Sequence, residues 1–158
     1  MESEHFAQRW LAADHAREWD VATVTDVRHE GADATTLRLE LPQAASFVAG
    51  QYYLVRLCIS TGPGTVEQAY SLSSSPWPLS PFIELTVRSV PGGRVSPVLA
   101  RQVEVFDQLH LRGPFGSLTW DETNEDAVVM IGAGSGVAPF MSIVRSASLR
   151  GSTVPMAL

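Results

Sequence analysis

The sequence predicts an antiparallel β-barrel followed by the opening β-α portion of a Rossmann-like α/β domain. Three observations carry that prediction. Apolar residues recur with period two through the first two thirds of the chain, as Leu37, Leu39 and Leu41, then Tyr53, Val55, Leu57 and Ile59, then Ile83, Leu85 and Val87. Turn-forming clusters at residues 31–33, 60–65 and 91–93 separate these runs, which is the grammar of short strands closing on themselves. Beyond Gly113-Pro114-Phe115-Gly116 the pattern changes to an unbroken apolar run, Ala127-Val128-Val129-Met130-Ile131, and then to a glycine-rich turn. Such a run suits a strand of a parallel sheet buried on both faces.

Taken in order, residues 1–18 carry Phe6, Trp10 and Leu11 among charges and predict an amphipathic helical arm begun near Ser3. Residues 19–118 form the predicted barrel, where alternation puts Leu37, Leu39 and Leu41 on one strand face and Thr36, Arg38 and Glu40 on the other. Residues 119–126 hold Asp121, Glu122, Glu125 and Asp126 and read as a solvated linker. Residues 127–158 supply a strand, a helix patterned by Val137, Phe140, Met141, Val144 and Leu149, and from Val154 the opening of another strand. These pieces are too few for a doubly wound sheet, so an incomplete nucleotide domain is expected.

A length of 158 residues supports one well-buried domain, and 45% hydrophobic with 18% charged residues is ordinary for a folded protein. The formal net charge of -6 argues against a binder of nucleic acid or anionic membrane, both of which call for a basic surface. A single cysteine, Cys58, excludes an internal disulfide and a four-cysteine iron–sulfur cluster within this chain. No apolar run is long enough to cross a bilayer, and Met1-Glu2-Ser3-Glu4 lacks a basic flank, so a cytoplasmic protein is expected.

Three stretches could carry chemistry. Gln68-Ala69-Tyr70-Ser71-Leu72-Ser73-Ser74-Ser75-Pro76 places an aromatic ring beside closely spaced hydroxyls at a strand end, a face and a set of hydrogen bonds suited to a planar heterocycle such as a flavin. Gly92-Gly93-Arg94-Val95-Ser96-Pro97 has the form of a helix start, with Ser96 as N-cap and Pro97 at the first helical position, and exposed amides there favour phosphate. Gly132-Ala133-Gly134-Ser135-Gly136-Val137-Ala138-Pro139 lies between a predicted strand and a predicted helix, the context of a dinucleotide-binding turn. It departs from the G-x-G-x-x-G spacing, because Val137 and Pro139 fall where a third glycine would stand. The four histidines show no ligand spacing, the four tryptophans read as packing residues with Trp77 near the candidate site, and Ser71 has no His-Asp relay.

The ordered set Gly50-Gln51, Tyr70-Ser71, Gly93-x-x-Ser96, Gly113-Pro114-x-Gly116 and Gly134-Ser135-Gly136-Val137-Ala138-Pro139 resembles the ferredoxin-NADP reductase superfamily, from about Trp19 onward. The resemblance implies a six-stranded Greek-key barrel holding FAD, then a nicotinamide domain, with hydride passing from NAD(P)H to the flavin and electrons going on to a partner protein such as a ferredoxin, flavodoxin or oxygenase component. It implies flavin contacts at Gln68, Tyr70, Ser71, Leu72 and Ser73, with Tyr70 stacked on the ring and Ser71, the catalytic candidate, near N5. Thr86, Val87, Arg88 and Ser89 would follow the ribityl chain and ring edge, and Gly93, Arg94, Val95 and Ser96 would hold the pyrophosphate. Gly134, Ser135, Gly136 and Pro139 would serve the nicotinamide cofactor.

One residue breaks the family pattern Arg-x-Tyr-Ser: Gln68 stands where the arginine would support the flavin phosphates. An amide keeps donors but loses the charge and the fork. Arg88 or Arg94 is expected to replace part of the missing cation. Two other functions compete with the reductase: a flavin-binding electron-transfer module without nicotinamide activity, and a non-catalytic small-molecule or interaction barrel.

Overall fold

The computed structural model describes residues 18–58, 64–120, 123 and 127–158. The predicted N-terminal helix up to residue 17, Ile59, most of the turn at 60–65, and Asp121, Glu122 and residues 124–126 of the predicted linker lie outside them.

Strands β1 (Asp20–His29), β2 (Ala34–Glu40), β3 (Tyr52–Cys58), β4 (Thr65–Ser71), β5 (Phe82–Arg88) and β6 (Gln108–Phe115) pair antiparallel in the order β4-β3-β6-β1-β2-β5. Just past the end of β4, Leu72 bridges Leu85 of β5, and the Ser73 N–H donates to the Glu84 carbonyl at 2.9 Å. Those contacts join the two outermost strands, so the sheet rolls into a six-stranded Greek-key barrel. The period-two residues point where alternation requires: Leu37, Leu39, Val55, Ile83 and Leu85 are wholly buried together with Leu72 and Leu111. Removing that apolar surface from water is the main force holding the barrel closed.

Helix α1 (Ser96–Arg101) lays Leu99 and Ala100 into the barrel core. Its start differs from the expectation. The N-cap position is Val95, and Ser96 is the first helical residue. The Ser96 Oγ turns back to accept the Val90 N–H at 3.2 Å, so this hydroxyl fastens the preceding turn instead of capping the helix.

The last segment holds the short parallel strands β7 (Val128–Val129) and β8 (Met156–Ala157), with a 3-10 turn at Gly134–Val137 and helix α2 (Ala138–Leu149) between them. The strand, turn, helix, strand order matches the expectation. The burial does not: Met130 is buried, whereas Val129 is 72% and Ile131 89% exposed. In the described residues one helix covers one face of the pair, so the other face of the apolar run meets solvent. Of the apolar residues that predicted this helix, Phe140 and Val144 pack on the small cluster around Ile143, and the fully buried stripe is Ala138, Pro139, Ser142, Ile143, Ser146 and Ala147. Leu149, the last residue of that pattern, is 59% exposed. Two buried serines on this face indicate polar docking, which an apolar pattern does not reveal.

The remaining motif pieces fasten the barrel end. The Gln51 Nε2 donates to the Gly116 carbonyl at 3.1 Å, while its Oε1 accepts the Val48 N–H at 2.8 Å. Gly50 has φ +100 and lies against the Leu118 carbonyl, so a side chain is excluded there on both counts.

Candidate functional site

Just past the end of β4 the chain is tied to β5 by the Leu72–Leu85 bridge, by the Ser73–Glu84 backbone bond and by the Ser73 and Ser74 hydroxyls. Toward the start of β4 the two strands diverge, since β4 runs beside β3 while β5 runs beside β2. Between them opens a cleft of about 380 Å³, lined by Gln68, Ala69, Tyr70 and Ser71 from β4 and by Thr86, Arg88 and Val90 from β5 and its continuation. The turn at Gly93, Arg94, Val95 and Ser96 closes one part of its rim, and Ser135 and Ala138 reach it from the last segment. Three stretches far apart in sequence thus border one space.

Within the cleft the groups differ in availability. Burial pushes the Tyr70 phenol up to about 12 from its ordinary 10.0, so the ring stays a neutral face well into the alkaline range. Arg88 is held by Asp33, whose Oδ2 lies 2.7 Å from the arginine Nε. Arg94, on the turn, has no ion-pair partner among the described residues. The turn itself is tight: the Gly93 N–H donates to the Val90 carbonyl at 2.9 Å. A Cβ on Gly93 would come within 2.9 Å of the Ser96 Oγ and 3.0 Å of the Val90 carbonyl.

Several of the predicted residues do not turn their side chains to the cleft. Leu72 and Val87 lie on the core face of their strands and are buried there. Ser73 is buried with its hydroxyl 2.9 Å from the Thr86 Oγ1 and 3.3 Å from the Glu84 carbonyl, a structural tie. Ser89 is buried as well, with its N–H donating to the Asp33 carbonyl at 2.7 Å. For these four, a ligand could meet the backbone only. Gly134 lines a neighbouring groove with Arg88 and Met141, while Gly136 and Pro139 border neither space. Trp77 lies away from the cleft, in a separate depression with Arg38 and Arg145, its ring 5.2 Å from the Arg150 guanidinium carbon.

Three residues without a predicted role, Asp33, Ser142 and Arg145, organise the surroundings. Asp33, read only as part of a turn, is the partner of Arg88. On α2, the Ser142 Oγ donates to the Ser74 carbonyl at 2.6 Å, and the Arg145 Nη1 donates to the Ser73 carbonyl at 2.7 Å and to the Glu84 Oε2 at 2.9 Å. The helix behind the glycine turn is thereby fixed to the chain directly after Tyr70-Ser71-Leu72. A signal was present in the sequence: serines spaced four apart inside an otherwise apolar helix, with an arginine between them.

The profile of the oxidoreductase FAD-binding domain family matches residues 21–120. The reductase component of propane 2-monooxygenase from Mycolicibacterium goodii is 34% identical over 140 residues, covering 86% of this chain and 38% of the relative. The ferredoxin–NAD(P)(+) reductase component of the naphthalene 1,2-dioxygenase/salicylate 5-hydroxylase systems from Ralstonia sp. is 31% identical over 136 residues, covering 86% of this chain and 39% of the relative. Among solved structures, the ferredoxin reductase in carbazole 1,9a-dioxygenase aligns with a TM-score of 0.75 and 31% identity, over 89% of this chain and 41% of that one. The chain therefore spans well under half the length of these relatives. The profile runs from the first barrel strand to beyond the last and includes the strands and the turn that border the cleft, so the chain belongs to the oxidoreductase FAD-binding domain family, within the ferredoxin-NADP reductase superfamily.

Proposed function

We propose that this chain is the flavin-binding part of an NAD(P)H-dependent reductase, with FAD lying along the cleft between β4 and β5. The observation that carries the proposal is the meeting of the Tyr70-Ser71 strand end and the turn at Gly93 to Ser96 around one cleft, as a single extended dinucleotide would require. The residues present fit such a group. The turn is too tight for a side chain at Gly93, which lets backbone amides approach a diphosphate, and Arg94, with no ion-pair partner among the described residues, adds a cation beside them.

Tyr70 would offer an aromatic plate to the ring system, and Ser71, lining the same cleft, would offer it a hydroxyl. Thr86 and Arg88 line the side along which the ribityl chain would run. Gly134, Ser135, Gly136 and Pro139 would serve a nicotinamide dinucleotide, with α2 fixed to the barrel by Ser142 and Arg145 behind them. When bound, FAD supplies the capacity to take two electrons as hydride from NAD(P)H and to release them to an acceptor protein such as a ferredoxin, flavodoxin or oxygenase component.

Absorbance of the purified chain titrated with FAD tests the proposal. Bands of oxidised protein-bound flavin, perturbed from those of the free cofactor and lost in Tyr70→Ala, are expected. Their absence would favour a non-catalytic barrel. That Gly136 and Pro139 border neither the cleft nor the adjoining groove favours a second reading, an electron-transfer module that does not use NAD(P)H by itself. Bound flavin that neither NADH nor NADPH bleaches would support it.

A further inference from the structure

We infer that Asp33, a residue of the turn between β1 and β2, sets how strongly the cleft selects phosphate, by holding Arg88 as a counter-ion; the inference takes its ligand from the FAD reading above. The placement of Asp33 is built into the ladder. Its carbonyl accepts the Ser89 N–H at 2.7 Å, and the next residue, Ala34, pairs with Arg88 across β2 and β5. The carboxylate and the guanidinium, 2.7 Å apart at Oδ2 and Nε, are thus brought together by backbone register and not by a chance encounter of two mobile side chains.

Arg88 stands on a divide. It lines the cleft with Tyr70 and Ser96, and also the adjoining groove of about 420 Å³ that Asp33, Gly134, Val137 and Met141 border. The arginine Nη1 lies 3.2 Å from where a Cβ on Gly134 would be. Its fork can meet an anion entering the cleft, yet its charge is already matched by a carboxylate. Phosphate and carboxylate compete for one guanidinium, and a fixed negative charge within about 10 Å of an arriving phosphate opposes it. Gln68 takes the position of the family arginine, so the cleft has no other strong cation on β4. Arg94 remains the directly available charge, and Asp33 keeps Arg88 in reserve.

Binding of FAD, riboflavin and inorganic pyrophosphate to the full chain, compared among wild type, Asp33→Asn, Arg88→Gln and the double variant, decides the matter. Asp33→Asn is expected to tighten FAD and pyrophosphate by about 3- to 10-fold, with a steeper loss of affinity on adding salt. Riboflavin, which lacks phosphate, is expected to bind as before. The gain is expected to vanish when Asp33→Asn is made in the Arg88→Gln background. An equal gain for riboflavin, a gain that persists without Arg88, or no gain at all would each overturn the inference. Should wild type bind neither flavin, the FAD reading fails by itself, and the pyrophosphate arm still decides whether Asp33 restrains Arg88.

Discussion

Tyr70 and Gln68 point along the same β4 face, two residues apart, and bear on the site in different ways. Folding holds the Tyr70 phenol neutral up to about 12, whereas the unfolded chain ionises it near 10.0. Its contribution to stability is therefore fully present below pH about 10 and is lost as the pH rises toward about 12. Urea melts across that window are expected to lose stability more steeply in wild type than in Tyr70→Phe, and the phenylalanine variant is expected to lack the last tyrosinate absorbance step. Gln68→Arg restores a fork beside the cleft and is expected to tighten FAD by about 1 to 2 kcal/mol, the scale of one hydrogen bond to a charged group. Isothermal titration checks it, and a gain of many decades would mean that Arg88 and Arg94 compensate for nothing. At this scale much of the lining of the cleft was readable, because Tyr70, Ser71 and the turn at Gly93 to Ser96 announce themselves by residue type and spacing. Asp33 was not readable: an acid in a turn acquires meaning only when strand register sets it beside an arginine 55 positions later.

Among elements, α2 shows why an apolar pattern finds a helix but not always the face it buries. Its span was legible from the glycines before it and the spacing within it. The polar part of its buried stripe was not, since Ser142 and Ser146 are buried through tertiary packing and the Ser142 hydroxyl bonds to a backbone carbonyl. Arg145→Met removes bonds to the Ser73 carbonyl and to Glu84, and is expected to cost about 1 kcal/mol, reduced by the partial exposure of the side chain. Hydrogen exchange is expected to quicken at amides of α2 and of β7 while those of β1 and β2 hold. Equal loosening throughout would show that the helix is part of the barrel's cooperative unit. Likewise β7 was legible as a strand but not as a half-exposed one, because an apolar run does not state how many faces its neighbours cover.

For the molecule as a whole, the apolar interior is divided unequally. The large cluster fills the barrel, and a small one around Ala49, Met130 and Ile143 joins the last segment to it. Leu85→Ala is expected to cost about 2 to 5 kcal/mol, whereas Ile131→Thr on the open sheet face should stay within about 0.5 kcal/mol, both by chemical denaturation. The barrel architecture was legible from period-two alternation and turn spacing; where the cylinder parts was not, since divergence of β4 from β5 is a property of two pairings and of neither strand alone. That parting has a mechanical consequence. Along Gln68 to Ser71, amides and carbonyls on the side away from β3 find no strand ladder among the described residues, so a ligand lodged there would stand in for a missing rung. Left bare, the same stretch is an open margin of the kind onto which another chain's strand can pair, so filling the cleft would also guard the molecule against edge-to-edge association.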